Sequence, residues 1–203
     1  TQLTGTNQTP FTHTLQIPTT IINCSSVISN ITGTGTGGVA HNDSTEIPLA
    51  LLNIVNTNVL CTSDVDANNF GGFMAAESIT FDILNCSFRG INFNGDNNGG
   101  IVGFRTENND NPVYTSGFSI ENTYVGLTGS VTGSDSSGFI GNYGTTSENI
   151  QYNITKSVFA AKQPITGPNF GGFISSFSEL KGTSSILIDN CIACATISGG
   201  GNP

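Results

Sequence analysis

The chain has 203 residues, a formal net charge of −9 and 9% charged residues, with Lys and Arg together numbering five. So acidic a chain lacks the basic footprint that nucleic acid binding requires, and it is repelled by anionic membranes. No apolar run approaches the length of a bilayer span, and with Gly, Asn, Ser and Thr dominant almost no α-helix is expected.

Residues 1–16 belong to no repeat. Phe11, Leu15 and Ile17 alternate with polar neighbours, so this stretch reads as an extended N-terminal segment, either a cap or a strand reaching another subunit. From residue 17 to residue 203 one pattern recurs six times. An alternating apolar strand runs into an Asn, a small residue and a second apolar run follow, and a Gly-Gly-Phe or a near copy comes about fifteen residues later. The first copy turns at Asn23-Cys24. In the second, Ile54-Val55-Asn56-Thr57 leads to Asn69-Phe70-Gly71-Gly72-Phe73. In the third, Ile83-Leu84-Asn85-Cys86 leads to Gly99-Gly100-Ile101-Val102-Gly103-Phe104. The fourth runs from Ile120-Glu121-Asn122-Thr123 to Ser137-Gly138-Phe139, and the fifth from Ile154-Thr155-Lys156-Ser157 to Asn169-Phe170-Gly171-Gly172-Phe173. The sixth has Ile186 and Ile188 before Asn190. The pattern position thus falls at Asn23, Asn56, Asn85, Asn122, Lys156 and Asn190. The step is shortest from Asn56 to Asn85 and longest from Asn85 to Asn122, so insertions are expected in loops on one side of a stack.

Apolar residues lie at even offsets before the Asn, and the parity changes after it. A parity switch at one residue needs a corner, and Asn suits one because it tolerates the left-handed region and can bond neighbouring backbone. Asn23, Asn56, Asn85, Asn122 and Asn190 are therefore structural corners, stacked so that their amides can bond along the stack. The fold class is all-β: a parallel β-helix of about six coils of roughly 29–37 residues, with three short strands per coil, near 29 Å tall at ~4.8 Å per coil. The Gly pair serves close approach between coils.

The string Gly-Gly-hydrophobic-hydrophobic-Gly, Ile-X-Asn-Cys and a second Gly pair, best carried by Gly71 to Gly103 and more loosely by Gly138 to Phe173, resembles the GLUG-type repeat. The resemblance covers roughly residues 17–203 and implies an extracellular β-solenoid of the kind found in large surface and adhesin-like proteins. It names no catalytic residue. The chain departs from the pattern at Lys156, at Gly141-Asn142 and in the first coil.

Cys24, Cys86 and Cys191 each follow a corner and sit at least two coils apart, about 9.6 Å or more, too far to bridge within the chain. They read as small inward residues of one column. Cys191 and Cys194 have CxxC spacing, but on a strand they face opposite sides, against a redox or metal motif. Asp64 and Asp66 share one strand face, where a calcium or catalytic pair competes with a solvated surface. Glu107 and Asp110 are scattered acids of the same kind. No catalytic residue, cofactor or metal site is assigned. Six Asn-X-Ser/Thr sequons occur: Asn153 is expected to point outward and is the leading glycan candidate, Asn42, Asn30 and Asn7 follow, and Asn23 and Asn85 are disfavoured as corner residues. The expected function is that of a secreted, cell-surface structural protein, a glycosylated subunit or segment of a filament, adhesin or matrix. Its expected partner is its own kind, in a homo-oligomer or an open head-to-tail filament, with no nucleic acid and no membrane span. The alternative is a carbohydrate-binding or carbohydrate-cleaving β-helix, which would need clustered carboxylates beside basic residues.

Overall fold

A computed structural model of the chain describes residues 2–5, 8–13, 17–42, 51–76, 80–106, 117–144, 151–177 and 183–198. The N-terminal segment holds β1 (Thr12–His13). Coil one follows with β2 (Thr19–Ile22), β3 (Ser25–Ile28), β4 (Ile31–Thr34) and β5 (Ala40–Asn42). Coil two has β6 (Leu51–Val55), β7 (Asn58–Cys61), β8 (Val65–Asn68) and β9 (Met74–Ala76). Coil three has β10 (Thr80–Leu84), β11 (Ser87–Gly90) and β12 (Val102–Thr106), and coil four has β13 (Phe118–Glu121), β14 (Tyr124–Leu127) and β15 (Ile140–Gly144). Coil five has β16 (Gln151–Thr155), β17 (Val158–Ala161) and β18 (Ile174–Phe177), and coil six has β19 (Ser185–Asp189) and β20 (Ile192–Cys194).

Strands at equivalent places in successive coils pair in parallel, which builds three six-stranded sheets. The first runs β2-β6-β10-β13-β16-β19, the second β3-β7-β11-β14-β17-β20 and the third β1-β5-β9-β12-β15-β18. The fold is a parallel β-solenoid, and the described residues contain no helix. Register is set by the apolar columns. Ile21, Ile54, Ile83, Ile120, Ile154 and Ile188 stack in the first sheet. A slip of one residue would turn this column out to solvent.

Between the first two sheets the chain turns through a left-handed residue in every coil. Asn23, Asn56, Asn85, Asn122, Lys156 and Asn190 have φ between 48° and 55°. Burial parity flips there: Leu52 and Ile54 face inward before Asn56, and Thr57 and Val59 face inward after it. The corner amides also bond vertically, Asn56 Nδ2 to Asn23 Oδ1 at 3.1 Å and Asn122 Nδ2 to Asn85 Oδ1 at 2.8 Å.

The cross-section has a side that the three-strand expectation did not contain. β4 pairs with β8, and single bridges and backbone bonds continue that ladder through Phe93, Val131, Ile165 and Ile197. Each coil puts only one or two inward side chains here, such as Ile31, Val65 and Phe93, too few for an alternating period to stand out from Gly and Asn neighbours. The side ends in a second left-handed corner at Gly35, Asn69, Asn97, Asp135 and Asn169. Its amides form a second ladder, Asn97 Nδ2 to Asn69 Oδ1 at 3.1 Å and Asn169 Nδ2 to Asp135 Oδ1 at 3.1 Å.

The path from the first corner to the second hardly changes from coil to coil. Asn23 to Gly35, Asn56 to Asn69, Asn85 to Asn97, Asn122 to Asp135 and Lys156 to Asn169 agree to within a single position. The return path absorbs the variation, and it is shortest from Asn69 to Asn85 and longest from Asn97 to Asn122. The large length differences therefore fall between the third sheet and the first strand of the next coil.

The Gly pair follows the second corner and is required by space. A Cβ on Gly72 would lie 2.0 Å from the Gly100 carbonyl oxygen and 2.4 Å from a ring carbon of Phe88. Ser137 stands where the other coils have Gly37, Gly71, Gly99 and Gly171, and the stack gives way around it. The Gly171 amide reaches Ser136 O at 3.4 Å, against 2.8 Å for the equivalent bond from Ser137 to Asn98 O one rung below. Inside the stack Phe81, Phe118 and Tyr152 form a pile with ring centroids 5.1 and 5.2 Å apart. Phe70, Phe88 and Phe93 form a second cluster about the fourth side. Each such ring, fully buried, contributes roughly 1.5–3 kcal/mol.

Residues 2–5 and 8–13 add a partial rung beneath coil one. Gln2 bridges Ser29, Leu3 bonds Ser29 and Thr32 and is 1% exposed, and β1 pairs with β5.

Candidate functional site

The outer face of the fourth side carries polar groups that satisfy one another from coil to coil. Asp64 and Asp66 lie side by side on the fourth side, and each carboxylate accepts from an Asn one coil up, Asn92 Nδ2 to Asp64 Oδ1 and Asn94 Nδ2 to Asp66 Oδ1, both at 2.8 Å. Asp96 Oδ1 likewise accepts from the Ser134 amide at 2.8 Å. This ladder accounts for the acidic pair as surface stitching between coils. Among the described residues no group of three or more His, Cys, Asp or Glu side chains could hold a metal ion, and Glu107 and Asp110 lie outside those residues.

A shallow groove runs across the second sheet, lined by Ser25, Val27, Asn58, Leu60, Ser87 and Arg89. Ser87 Oγ donates to Asn58 Oδ1 at 2.6 Å, and the Arg89 guanidinium lies 5.9 Å from the centre of the Tyr124 ring. No carboxylate lines it, so it lacks the pair of acids that glycoside cleavage uses.

The five cysteines are free. Cys24, Cys86 and Cys191 occupy one inward column with Thr57, Thr123 and Ser157. Each member donates to the carbonyl two residues back, Cys24 to Ile22, Thr57 to Val55, Cys86 to Leu84, Thr123 to Glu121, Ser157 to Thr155 and Cys191 to Asp189. Burial pushes the Cys86 thiol up to about 11 and raises that of Cys61, so neither is a thiolate nucleophile at neutral pH. Cys194 faces solvent on the other side of its strand from Cys191.

Among the sequons, Asn153 sits half-exposed on the outward side of β16 between Ser119 and Leu187. Asn30 is exposed at φ 51°, Asn42 closes β5, Asn23 and Asn85 are exposed corners, and Asn7 lies outside the described residues.

The strongest departure from a self-satisfied surface is coil six. Ile188 is 47% exposed, whereas Ile154, Ile120 and Ile83 below it in the same column are at most 1% exposed. Ile197 is 65% exposed over a fully buried Ile165. At the other end Ile21, Ile28, Ile31 and Val39 are buried, the last three fully, partly under the rung made by residues 2–5 and 8–13. The alternating apolar pattern pointed to Ile188 and not to Ile197, and because a column looks alike in every coil, the exposure of its coil-six member is visible only in the structure.

No protein-family model, no curated protein and no solved structure matches the chain.

Proposed function

We propose that this chain is a secreted structural protein, a subunit or segment of a surface filament, adhesin or extracellular matrix, and that it works by stacking strands end to end. The observation that carries the reading is the stack itself: inward apolar columns run through successive coils, and at coil six Ile188 and Ile197 reach solvent while β18, β19 and β20 are each paired on one side only among the described residues. Burying such columns is what every lower coil does, at ~25 cal/mol per Å² of apolar surface. An open row of strand amides and carbonyls is a template for further pairing. The extracellular placement is supported by six sequons, the scarcity of Lys and the resemblance to the GLUG-type repeat. Asn153 points away from both ends, so a glycan there leaves stacking unhindered.

Negative-stain microscopy together with sedimentation velocity on the purified chain tests this reading. Fibres or a concentration-dependent series of oligomers are expected. Monodisperse single particles at every concentration would overturn it and favour the carbohydrate-binding alternative.

A further inference from the structure

From the outward face of the second sheet we infer that the groove across coils one to three holds a glycan through a single carboxylated sugar residue, a uronic or sialic acid. The site lies on the side of the stack and does not depend on how the stack ends. Register sets its two rows. Ser25, Asn58, Ser87 and Tyr124 are aligned rung by rung, and Val27, Leu60, Arg89 and Gly126 form the row two residues along. The rows stand about 7 Å apart and three rungs span about 10 Å, at ~3.3 Å per residue and ~4.8 Å per strand. The groove they frame has a volume of about 400 Å³, enough for a short glycan.

Charge selects the ligand. The chain carries a net −9, yet no carboxylate lines the groove and Arg89 stands at its upper end. Among the described residues no carboxylate pairs with that guanidinium, whose fork of donors matches a carboxylate bidentately. A polyanion would meet the repulsion of the rest of the molecule, so one carboxylate fits and a string of them does not. The neighbouring groups suit the rest of a sugar. Val27 and Leu60 are exposed and give an apolar strip for a C–H face, beside the hydroxyl and amide groups of Ser25, Asn58 and Ser87. Ser87 Oγ donates to Asn58 Oδ1, which leaves the Asn58 Nδ2 hydrogens and the Ser87 lone pairs for sugar hydroxyls. A peptide is a poorer match, because β7 and β11 are each paired on both sides and present no free main-chain groups to it.

Tyr124 closes the site above, and Gly126 is what lets it do so. A Cβ on Gly126 would lie 2.5 Å from the Tyr124 hydroxyl oxygen and 2.7 Å from a ring carbon, so the ring leans across the sheet over Gly126 and buries it. The same row carries Val27, Leu60, Arg89 and Ala160, so the stack itself does not ask for Gly there. Tyr124 is still 38% exposed, and the Arg89 guanidinium lies 5.9 Å from the centre of its ring. The electron-rich face of the ring attracts the C–H edges of a sugar. One sugar residue can therefore bond Arg89 through its carboxylate and rest its ring on Tyr124.

Heteronuclear NMR titration of the full-length chain tests the assignment. Methyl glucuronide is compared with methyl glucoside, which has a hydroxymethyl group in place of the carboxylate, and sialyllactose with lactose, which separates a sialic from a uronic source. Shifts centred on Ser87, Arg89 and Tyr124 are expected with at least one carboxylated sugar, bound roughly tenfold tighter than its neutral counterpart. Arg89→Ala should erase that preference, Arg89→Lys should restore part of it, and Lys156→Ala, two coils above Arg89, should keep it. Gly126→Ala should weaken binding several-fold with an unchanged urea midpoint, because the three nearest atoms its methyl meets belong to the Tyr124 side chain, which can swing away. Equal binding of charged and neutral sugars, binding that survives Arg89→Ala, shifts that fall elsewhere on the chain, or no binding of any of the four would overturn the site. So would Arg89 and Tyr124 signals that move with protein concentration and not with sugar, which would mark a contact between copies. Self-assembly is read separately by sedimentation, so failure of this site leaves the proposed function standing.

Discussion

At the scale of single residues, the corner asparagine combines two roles, a left-handed backbone and a side chain that can both donate and accept along the stack. Its φ near 50° is a region that costs an ordinary L-residue about 1–2 kcal/mol and that Asn tolerates. Its amide then bonds the Asn of a neighbouring coil. Asn122→Gly keeps the first property and loses the second, and Asn122→Ala loses both. The Ala variant should cost about 1–2 kcal/mol and the Gly variant less than about 1, read as a shift in urea midpoint with unchanged slope. Lys156 occupies the same corner at φ 51° and compensates differently, with its Nζ 2.7 Å from Glu121 Oε1. That hydrogen bond and charge raise the Lys156 pKa, so what the pair contributes is present below the ordinary lysine pKa and is lost as pH rises through the raised one. The corners of the first ladder were legible in the sequence because parity changes sign at them. The second set was not, since Asn69, Asn97 and Asp135 are followed by Phe70, Asn98 and Ser136, which share no hydrophobic signature.

At the scale of elements, a strand's stability here depends on how many neighbours it has. β13 is paired on both sides and sends Phe118 between Phe81 and Tyr152. Phe118→Ala should cost about 3–5 kcal/mol, because the cavity lies inside a pile of rings that cannot collapse without breaking register on both sides. Calorimetry or urea unfolding checks this. β19 is paired on one side only among the described residues, and its Ile188 reaches solvent. The alternation that located β6, β10, β13, β16 and β19 was readable because each holds two or more inward residues at even spacing. The fourth side was not, because Phe93 and Val131 each stand alone between polar neighbours. The candidate site was half legible: sequence placed Ile186 and Ile188 on an inward face, while packing decides which inward faces are covered.

At the scale of the whole molecule, charge opposes the proposed assembly of copies. A net charge of −9 on each copy, with a sequence pI near 4.2, makes every approach a meeting of like charges. Raising ionic strength shortens the reach of that repulsion from ~30 Å at 0.01 M to ~8 Å at 0.15 M. Association should therefore be markedly faster at 0.15 M salt than at 0.01 M, and faster again as pH falls toward the pI, with light scattering as the measurement. A chain whose association slowed on adding salt would have to be joined by charge pairs rather than by apolar columns.

The unequal spacing of the corners has a further consequence for what such a stack can display. Because the path from first to second corner is fixed to within a single position while the return path is free to lengthen, foreign sequence can be spliced only along one flank. Splices in successive coils would emerge above one another at a pitch of ~4.8 Å. The molecule is in that sense a ruled edge, on which the number of copies of a grafted epitope and the interval between them are set by choosing rungs.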